Sequence, residues 1–169
     1  MFRVKDFILM DVIDIKGKKI GFIKDIIIDF NKGEVKGFVI SPYNLFLGNR
    51  IILKPNIISF NKAMVINGWS KDEFLTFSSI KNMDVKNKYG DIIGIVEDLL
   101  FHEFTFKIKG IIVSLGILKN FMIGKKILLI NSVILGEKYI LNYKDYNKVD
   151  FISIPHKLFM EVESHEKNI

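Results

Sequence analysis

One phrase occurs twice in the chain, and this repetition constrains the fold more than any other feature of the sequence. Residues 17–29 read GKKIGFIKDIIID, and residues 90–102, which lie 73 positions later, read GDIIGIVEDLLFH. The same offset aligns residues 10–41 with residues 83–114 without a gap, and both segments keep the Met-Asp-Val start, three glycines and the central acid. A unit of about 75 residues is therefore duplicated, and the chain should contain two similar domains.

The residue pattern within each copy favours strands. Isoleucine and phenylalanine are abundant, and branched or aromatic side chains pack well on a pleated sheet. In the first copy, the Asn-Lys-Gly sequence at residues 31–33 predicts a hairpin loop between strands at residues 20–30 and 35–40. In the second copy, residues 104–109 alternate between apolar and polar side chains, which predicts a strand with one face toward solvent.

Glycines at matching positions fall inside the predicted strands of both copies. A glycine there weakens a strand and usually marks a bulge or a bend where a small sheet curls over. The pairs are Gly21 with Gly94 and Gly37 with Gly110. We therefore predict an all-β chain with two tandem small β-barrels, over residues 1–77 and 78–154, followed by a charged C-terminal tail at residues 155–169.

One short strand pattern occurs three times around the two repeats, at residues 2–4, 75–77 and 152–154. Three copies for two barrels indicate that each barrel is closed in part by the strand that opens the next one. Residues 146–154 also follow the plan of residues 69–77, with an aromatic residue at the start and a phenylalanine five positions later. We expect the two barrels to be docked on each other as one rigid body rather than joined by a flexible linker.

The composition excludes several kinds of site. The chain has no cysteine, so disulfides, thiolate metal sites and cysteine nucleophiles are absent. Charged residues interrupt the apolar run at the N-terminus and the one at residues 111–134, so we expect neither a signal peptide nor a membrane span and predict a soluble, cytoplasmic protein. The net charge of +6 is spread along the chain. The largest local group of lysines is Lys16, Lys18 and Lys19. A group this small favours a solvated surface over nucleic-acid binding.

Several of these motifs together resemble the PRC-barrel domain. They are TFSSIKNMDV at residues 76–85, a glycine turn, the G-x-[IV]-x-D phrase and IILKPNIISF at residues 51–60, and the resemblance covers residues 2–67 and 75–142. The family is named after the photosynthetic reaction-centre H subunit and also forms the C-terminal half of a ribosome maturation factor of the 16S rRNA pathway. It implies compact six-stranded β-barrels that serve as protein-interaction modules without enzymatic residues. The tandem arrangement resembles small stand-alone proteins of spore-forming bacteria, which implies sporulation or envelope-related roles.

Residues that could perform catalysis or bind a metal do not converge. Asp25 and Asp98 recur at the same position of the two copies, but each lies in an apolar strand with no second acid or histidine at a repeating distance. We interpret them as structural carboxylates that accept backbone N–H groups at a bend. The three histidines, His102, His156 and His165, do not recur and form no metal-binding spacing. We therefore predict no enzymatic activity, no cofactor and no metal.

Two loops are more apolar than ordinary surface connections. Residues 42–48 read PYNLFLG, and residues 115–124 read LGILKNFMIG. Either these side chains fold back and plug the barrel ends, or they form an interaction surface to which a partner binds. The candidate interaction residues are Tyr43, Leu45, Phe46, Ile117, Leu118 and Phe121.

The function predicted from these features is that of a non-enzymatic adaptor that binds an unidentified protein partner. The apolar loops also predict self-association into a homo-oligomer, and the family resemblance implies sporulation, envelope or division-related assembly. The alternative is an RNA- or ribosome-associated assembly factor, which the net charge of +6 and the ribosomal relative favour. An RNA-binding face would require Lys16, Lys18, Lys19, Lys125 and Lys126 on one continuous surface.

Overall fold

Strands account for most of the regular structure of the chain, which is all-β as predicted. The computed structural model describes residues 1–44, 46–117, 119–120 and 124–144. In chain order, the elements are β1 (Phe2–Arg3), β2 (Asp11–Asp14), β3 (Lys19–Asp29), β4 (Glu34–Pro42), β5 (Arg50–Leu53), β6 (Ile57–Phe60), β7 (Ala63–Ile66), α1 (Phe77–Ile80), β8 (Asp84–Asn87), β9 (Ile92–Phe101), β10 (Ile108–Ser114), β11 (Lys126–Leu129), β12 (Val133–Leu135) and β13 (Tyr139–Asn142). Short 3₁₀ turns lie at Val4–Asp6, Lys54–Asn56 and Ile130–Ser132.

The two repeats form two sheets with the same strand order. Hydrogen bonds join the first sheet in the order β5-β4-β3-β2-β7-β6 and the second in the order β11-β10-β9-β8-β13-β12. In each sheet one pair is parallel, β2 with β7 and β8 with β13. The barrels that the sequence predicts would close each order into a ring. Among the described residues the hydrogen-bonded order is instead open, and the domain division after residue 77 stays a prediction.

Two of the matched glycines lie where neighbouring strands approach each other closely. Gly37 and Gly110 each face the last residue of the adjoining strand, β5 or β11. A Cβ atom at Gly37 would overlap the carbonyl oxygen of Ile52, and one at Gly110 would lie 2.6 Å from the carbonyl oxygen of Leu128. Glycine is needed here because the backbone of the neighbouring strand occupies the space of a side chain.

The strand predicted at residues 104–109 is wrong in its first half, because β10 begins only at Ile108. The preceding residues form a turn in which the His102 ring accepts the backbone N–H of Phe104 through Nδ1, at 3.2 Å. Phe106 adopts a left-handed backbone conformation, with a φ of 60°. The alternation of apolar and polar residues therefore reflects a turn that buries Phe106 and exposes Phe104.

The segment that opens each repeat pairs with the sheet of the other repeat. β1 pairs with β9 of the second sheet. Thr76, at the matching position ahead of the second repeat, bridges to Ile27 of β3, and the Leu75 carbonyl oxygen accepts the N–H of Ile28 at 2.9 Å. The sequence predicts that the strand that opens the second repeat helps to close the first barrel. The segment does pair with the first sheet, but the hydrogen-bonded order of that sheet stays open among the described residues. The reciprocal pairing of the N-terminus was not predicted, and the third copy of the pattern, at residues 152–154, lies outside the described residues.

A local two-fold axis relates the two repeats. Glu34 pairs in an antiparallel bridge with Lys107, which is its own counterpart in the other repeat. On one side of this pair the Val35 N–H donates to the Phe106 carbonyl oxygen at 2.9 Å, and the reciprocal bond on the other side is 2.8 Å long. Equivalent residues can exchange bonds in this way only if the repeats are related by a rotation of about 180°. The Lys107 ammonium also lies 2.8 Å from the Glu34 carboxylate and lowers the pKa of that group.

One hydrophobic core serves both repeats, because one cluster contains most of the described buried apolar side chains and draws them from both sheets. Phe7 of the first repeat lies at the junction, with its ring centroid 5.0 Å from that of Phe38 and 5.7 Å from that of Phe101 in the second repeat. Phe106 adds another contact across the junction, 6.0 Å from Phe38. Aromatic pairs at such distances stabilise a core beyond their burial alone. This shared packing supports the expectation of one rigid body.

Candidate interaction surfaces

The recurring acids, Asp25 and Asp98, hold the helical turns at which the repeats begin. Asp98 Oδ1 accepts the backbone N–H of Val4 at 2.9 Å, and Asp25 Oδ2 accepts that of Ser78 at 3.1 Å. Each carboxylate also accepts the N–H of the residue that follows it. Each acid therefore binds the opening turn of the other repeat, which confirms the structural interpretation. Burial raises the pKa of Asp98, although its hydrogen bonds from the backbone act in the opposite direction.

The first apolar loop follows β4, and its aromatic side chains are exposed. The Phe46 side chain is 97% exposed and Tyr43 is about half exposed. Asn44 shapes the loop, because its Oδ1 accepts the N–H of Phe46 at 3.0 Å and its carbonyl oxygen accepts that of Leu47 at 3.0 Å. The loop therefore does not use Phe46 to plug the end of the sheet.

A carboxylate fixes the first loop against the lysine-rich turn between β2 and β3. Asp11 accepts a hydrogen bond from the Tyr43 hydroxyl and another, of 3.2 Å, from the Lys19 ammonium. These two bonds lower the pKa of Asp11, and the bond to the carboxylate raises the pKa of Tyr43. The phenol thus stays protonated and the acid ionised at neutral pH, so the loop is anchored there. Lys16 and Lys18 lie in the same turn and are exposed.

The second apolar loop follows β10 and is organised by one amide side chain. Asn120 Oδ1 accepts the N–H of Leu115 at 2.8 Å, and its Nδ2 donates to Ser114 Oγ at 2.7 Å. The Asn120 N–H donates to the Gly116 carbonyl oxygen at 2.8 Å. Ile117 stands on this turn with 90% of its side chain exposed. The second repeat therefore also presents an apolar side chain after β10, the strand that corresponds to β4.

The two loops form separate surfaces. β4 begins at Glu34, beside Lys107, which directly precedes β10. The two strands run in opposite directions, because the bridge between these residues is antiparallel. The loops follow the far ends of these strands, so the fold carries them away from the two-fold axis on opposite sides. Tyr43 and Phe46 lie on one surface, whereas Ile117 lies on the other. Three further candidate residues lie outside the described residues: Leu45, Leu118 and Phe121.

The lysines that an RNA-binding face would require are divided between the two sheets. Lys16 and Lys18 belong to the turn before β3, Lys19 is the first residue of β3, and residues 125–126 lie at the start of β11. Lys19 and Lys125 are each paired with a carboxylate, from Asp11 and Glu97 respectively. An ammonium that already has an acidic partner contributes less to phosphate binding.

No group of three or more histidine or acidic side chains is placed to hold a metal ion in the described part of the chain. His102 has the turn-closing role given above, and the other two histidines lie outside the described residues. Over the same described ranges, no helix is both long enough and apolar enough to cross a membrane.

Sequence reasoning missed an exposed leucine near the two-fold axis. Leu9 is 70% exposed and adopts a left-handed backbone conformation, with a φ of 69°. It lines a shallow groove between the two opening turns, together with Asp25 and Asp98. Its counterpart in the second repeat is Asn82, with a φ of 66°. The sequence does carry a signal of this strained position. The first repeat has a leucine where the second has an asparagine, and asparagine adopts the left-handed conformation more often.

These features place the chain in a general class, that of duplicated all-β proteins with an apolar loop on each repeat. The PRC-barrel domain model matches the chain twice, over residues 1–69 and 72–142. Because the two matches cover most of the sequence, the chain belongs to the PRC-barrel family and contains two such domains in tandem. Domains of this family are commonly protein-interaction modules. A search of curated proteins returned no match.

Proposed function

We propose that the chain is a non-enzymatic adaptor that binds another protein through its apolar loops. The observation that carries this proposal is the exposure of Phe46 and Ile117, whose side chains are 97% and 90% exposed. Two large apolar side chains on hydrogen-bonded turns, in the loops that follow corresponding strands of the two repeats, are typical of contact sites for a partner. Sporulation, envelope or division-related assembly is the proposed setting, and it rests on the resemblance to tandem proteins of spore-forming bacteria.

The chemistry around the first loop indicates what kind of partner it fits. Phe46 offers an apolar contact, and the neighbouring turn offers the exposed ammonium groups of Lys16 and Lys18. Asp11, the acid beside them, is already bound to Tyr43 and Lys19. A complementary segment therefore carries an apolar side chain flanked by carboxylates, because lysines attract opposite charge and steer association.

The placement of the loops also bears on how many partner molecules one chain can bind. Because they lie on separate surfaces, one chain offers two related sites rather than one continuous patch. The sites differ in sequence, so their affinities should differ. A second copy of the chain is the alternative occupant, and self-association through these loops would appear as a dimer or larger species in sedimentation at micromolar concentrations.

The other function that the sequence favours is that of an RNA- or ribosome-associated factor, on the net charge of +6. The division of the lysines between two sheets argues for the adaptor. The two functions also differ in their response to salt, since phosphate contacts release counterions and their affinity falls steeply as salt is raised.

An affinity pull-down from native lysate, with and without nuclease, tests the proposal. The bait is compared with Phe46→Asp and Ile117→Asp, and Ile58→Asp serves as the matched control because Ile58 is also an exposed isoleucine, on β6. We expect nuclease-resistant protein partners to be recovered by the parent and the control. The substitution in the responsible loop should reduce their recovery by tenfold or more, since a buried unpaired carboxylate is costly at an interface.

Two results would contradict the adaptor. Recovery of ribosomal material that disappears on nuclease treatment and falls steeply with salt would establish the RNA-associated function instead. Equal loss of partner in the Ile58→Asp control would show that the loops are not the binding surface.

A further inference from the structure

A groove lies on the local two-fold axis, between the opening turns of the two repeats. Its lining comes from residues 4–9 and 77–81, in those turns, and from residues 24–25 and 97–98, on β3 and β9. Residues 97–98 are the counterparts of residues 24–25, so both repeats contribute equivalent positions. We call this surface the axis groove. Its volume is about 440 Å³, and its lining contains no residue of either apolar loop.

Leu9 presents an apolar side chain at this groove. It is 70% exposed and adopts a left-handed backbone conformation, which is uncommon for a leucine. The fold holds this position in the same way in both repeats, because Leu9 donates its N–H to the Ile23 carbonyl oxygen and Asn82 donates to that of Val96, each at 2.8 Å. Since the second repeat makes the same bond with an asparagine, the fold does not require a leucine here. The Leu9 side chain is therefore available for a contact outside the chain.

Three ammonium groups surround the apolar part of the groove. They belong to Lys5, Lys24 and Lys81, which are all exposed. Within the described part of the chain, no carboxylate forms an ion pair with any of the three. Ammonium groups in this state attract carboxylates from a partner and steer its approach.

The comparison of the two repeats explains why Lys24 has no acidic partner. Its counterpart on β9 is Glu97, and the carboxylate of Glu97 is paired with Lys125. Lys125 directly precedes β11, whereas the residue that directly precedes β5, the corresponding strand, is Asn49. The second repeat therefore neutralises its charge at this place within the chain. The first repeat leaves the Lys24 ammonium for an external carboxylate.

The two recurring acids in the lining do not remove this positive charge. Asp25 and Asp98 are each only 7% exposed, and their carboxylates accept backbone N–H groups of the opening turns. The three exposed ammonium groups outnumber these two buried carboxylates. The charge that a partner meets at the axis groove is therefore positive, beside an exposed leucine.

We propose that the axis groove binds an acidic segment of another protein. An apolar side chain of this segment packs on Leu9, and its carboxylates lie beside the three ammonium groups. The volume of the groove has room for a few side chains, which favours a short segment over a folded domain. Because Lys24 and Glu97 have opposite charges at equivalent positions, the segment binds in one direction despite the two-fold symmetry. The site adds a third contact surface and does not depend on the contacts proposed for the apolar loops.

A library of random dodecapeptides displayed on phage tests this proposal. The full chain is the bait in one selection, and Leu9→Asn is the bait in a parallel one. Asparagine fits this backbone conformation, as Asn82 shows, so the variant keeps the fold. We expect the peptides enriched on the full chain to combine an apolar residue with several acidic ones. The same peptides should not be enriched on Leu9→Asn.

Fluorescence polarisation with an enriched peptide then measures the affinities of the variants. Leu9→Asn should weaken binding by about tenfold or more, because the apolar contact is lost. Lys24→Glu should weaken it by about fivefold or more, because repulsion replaces attraction. Lys62→Glu is the matched control, since it makes the same change of net charge at an exposed lysine between β6 and β7. Binding by this control should stay within about twofold of the parent, because distant exposed charges are screened.

Several results would overturn the proposal. They include no enrichment on the full chain, enriched peptides without acidic residues, and equal affinity of the parent and Leu9→Asn. Equal weakening by Lys24→Glu and Lys62→Glu would show an effect of net charge alone. Loss of binding in Phe46→Asp but not in Leu9→Asn would place the peptide on the first apolar loop instead. A dimer in sedimentation that Leu9→Asn abolishes would show that a second copy of the chain occupies the groove.

Discussion

Single residues in this chain hold the two repeats together, and Asp98 is the clearest case. Its carboxylate accepts the backbone N–H groups of Val4 and Leu99, and burial raises its pKa. A raised pKa means that the folded protein favours the protonated acid, so the ionised form lowers stability at neutral pH. That cost disappears as the pH falls through the folded pKa.

We therefore expect Asp98→Asn to be at least as stable as the parent at pH 7, because the amide oxygen keeps the acceptor and carries no charge. This advantage should shrink as the pH is lowered toward the ordinary pKa of an aspartate, about 4. Asp98→Ala should lose about 1–3 kcal/mol at either pH, since two buried N–H groups lose their acceptor. Urea unfolding at pH 7 and at a pH of about 4 measures these free energies of unfolding. A variant Asp98→Asn as unstable as Asp98→Ala would show that the charge itself is required.

Backbone strain at Leu9 gives a second prediction at this scale. Leu9 and its counterpart Asn82 both adopt left-handed backbone conformations, which cost a leucine more than an asparagine. Because Leu9 is exposed, little packing is lost when it is replaced. Leu9→Asn should raise the free energy of unfolding by about 0.5–1 kcal/mol.

The reverse substitution in the other repeat is the matched control for this prediction. Asn82→Leu should lower the free energy of unfolding by a similar amount in the same urea titration. If Leu9→Asn destabilises the protein, the exposed leucine makes a contact that outweighs its strain.

At the scale of the elements, the close approach of β4 and β5 depends on one glycine. A Cβ at Gly37 would overlap the Ile52 carbonyl oxygen, which is backbone and cannot rotate away. Gly37→Ala should therefore lower the free energy of unfolding by about 3 kcal/mol or more. Gly48→Ala is the control, because no atom lies within 4 Å of a Cβ built there. Thermal unfolding of the two variants separates the steric effect at Gly37 from the general effect of replacing a glycine. Equal melting temperatures of the two variants would contradict the steric explanation.

The turn before β10 shows why element boundaries were harder to predict than element types. Residues 104–109 alternate like a strand, but the hydrogen bond from the Phe104 N–H to the His102 ring forms a turn there. Phe106 then points its ring into the core that the two repeats share. A pattern of apolar and polar residues records which side chains are buried, and a turn against another domain can produce the same pattern as a strand.

At the scale of the whole molecule, the shared core predicts that the repeats unfold together. Trp69 is the single tryptophan of the chain and reports on the first repeat, whereas far-UV circular dichroism reports on both. The two signals should follow one transition in urea. Phe7→Ala should lower the urea midpoint of both signals equally and reduce the free energy of unfolding by about 3–5 kcal/mol, because Phe7 packs on rings of both repeats.

Two outcomes would contradict this coupling. A circular dichroism curve with two steps, of which Trp69 follows only one, would show independent domains. Limited proteolysis that cuts near Trp69 and releases two folded halves would lead to the same conclusion. Ile58→Asp, on the exposed face of β6, is a control that should leave the single transition in place.

The sequence by itself determined the duplication, the all-β class, the hairpin at residues 31–33 and the structural nature of Asp25 and Asp98. These are local properties, because a hydrophobic period, a turn signal or an acid without a partner can be recognised from neighbouring residues. It also identified Phe46 and Ile117, because long apolar loops are unusual, although it treated the two loops as one surface.

Only the tertiary structure decided how the repeats are related. The pairing of β1 with β9, the two-fold pairing of Glu34 with Lys107 and the aromatic junction at Phe7 all join residues far apart in the chain. Two similar units can pack in many ways, and the choice depends on which faces fit each other in three dimensions. The antiparallel bridge at the axis then separates the loops, because it directs β4 and β10 in opposite directions.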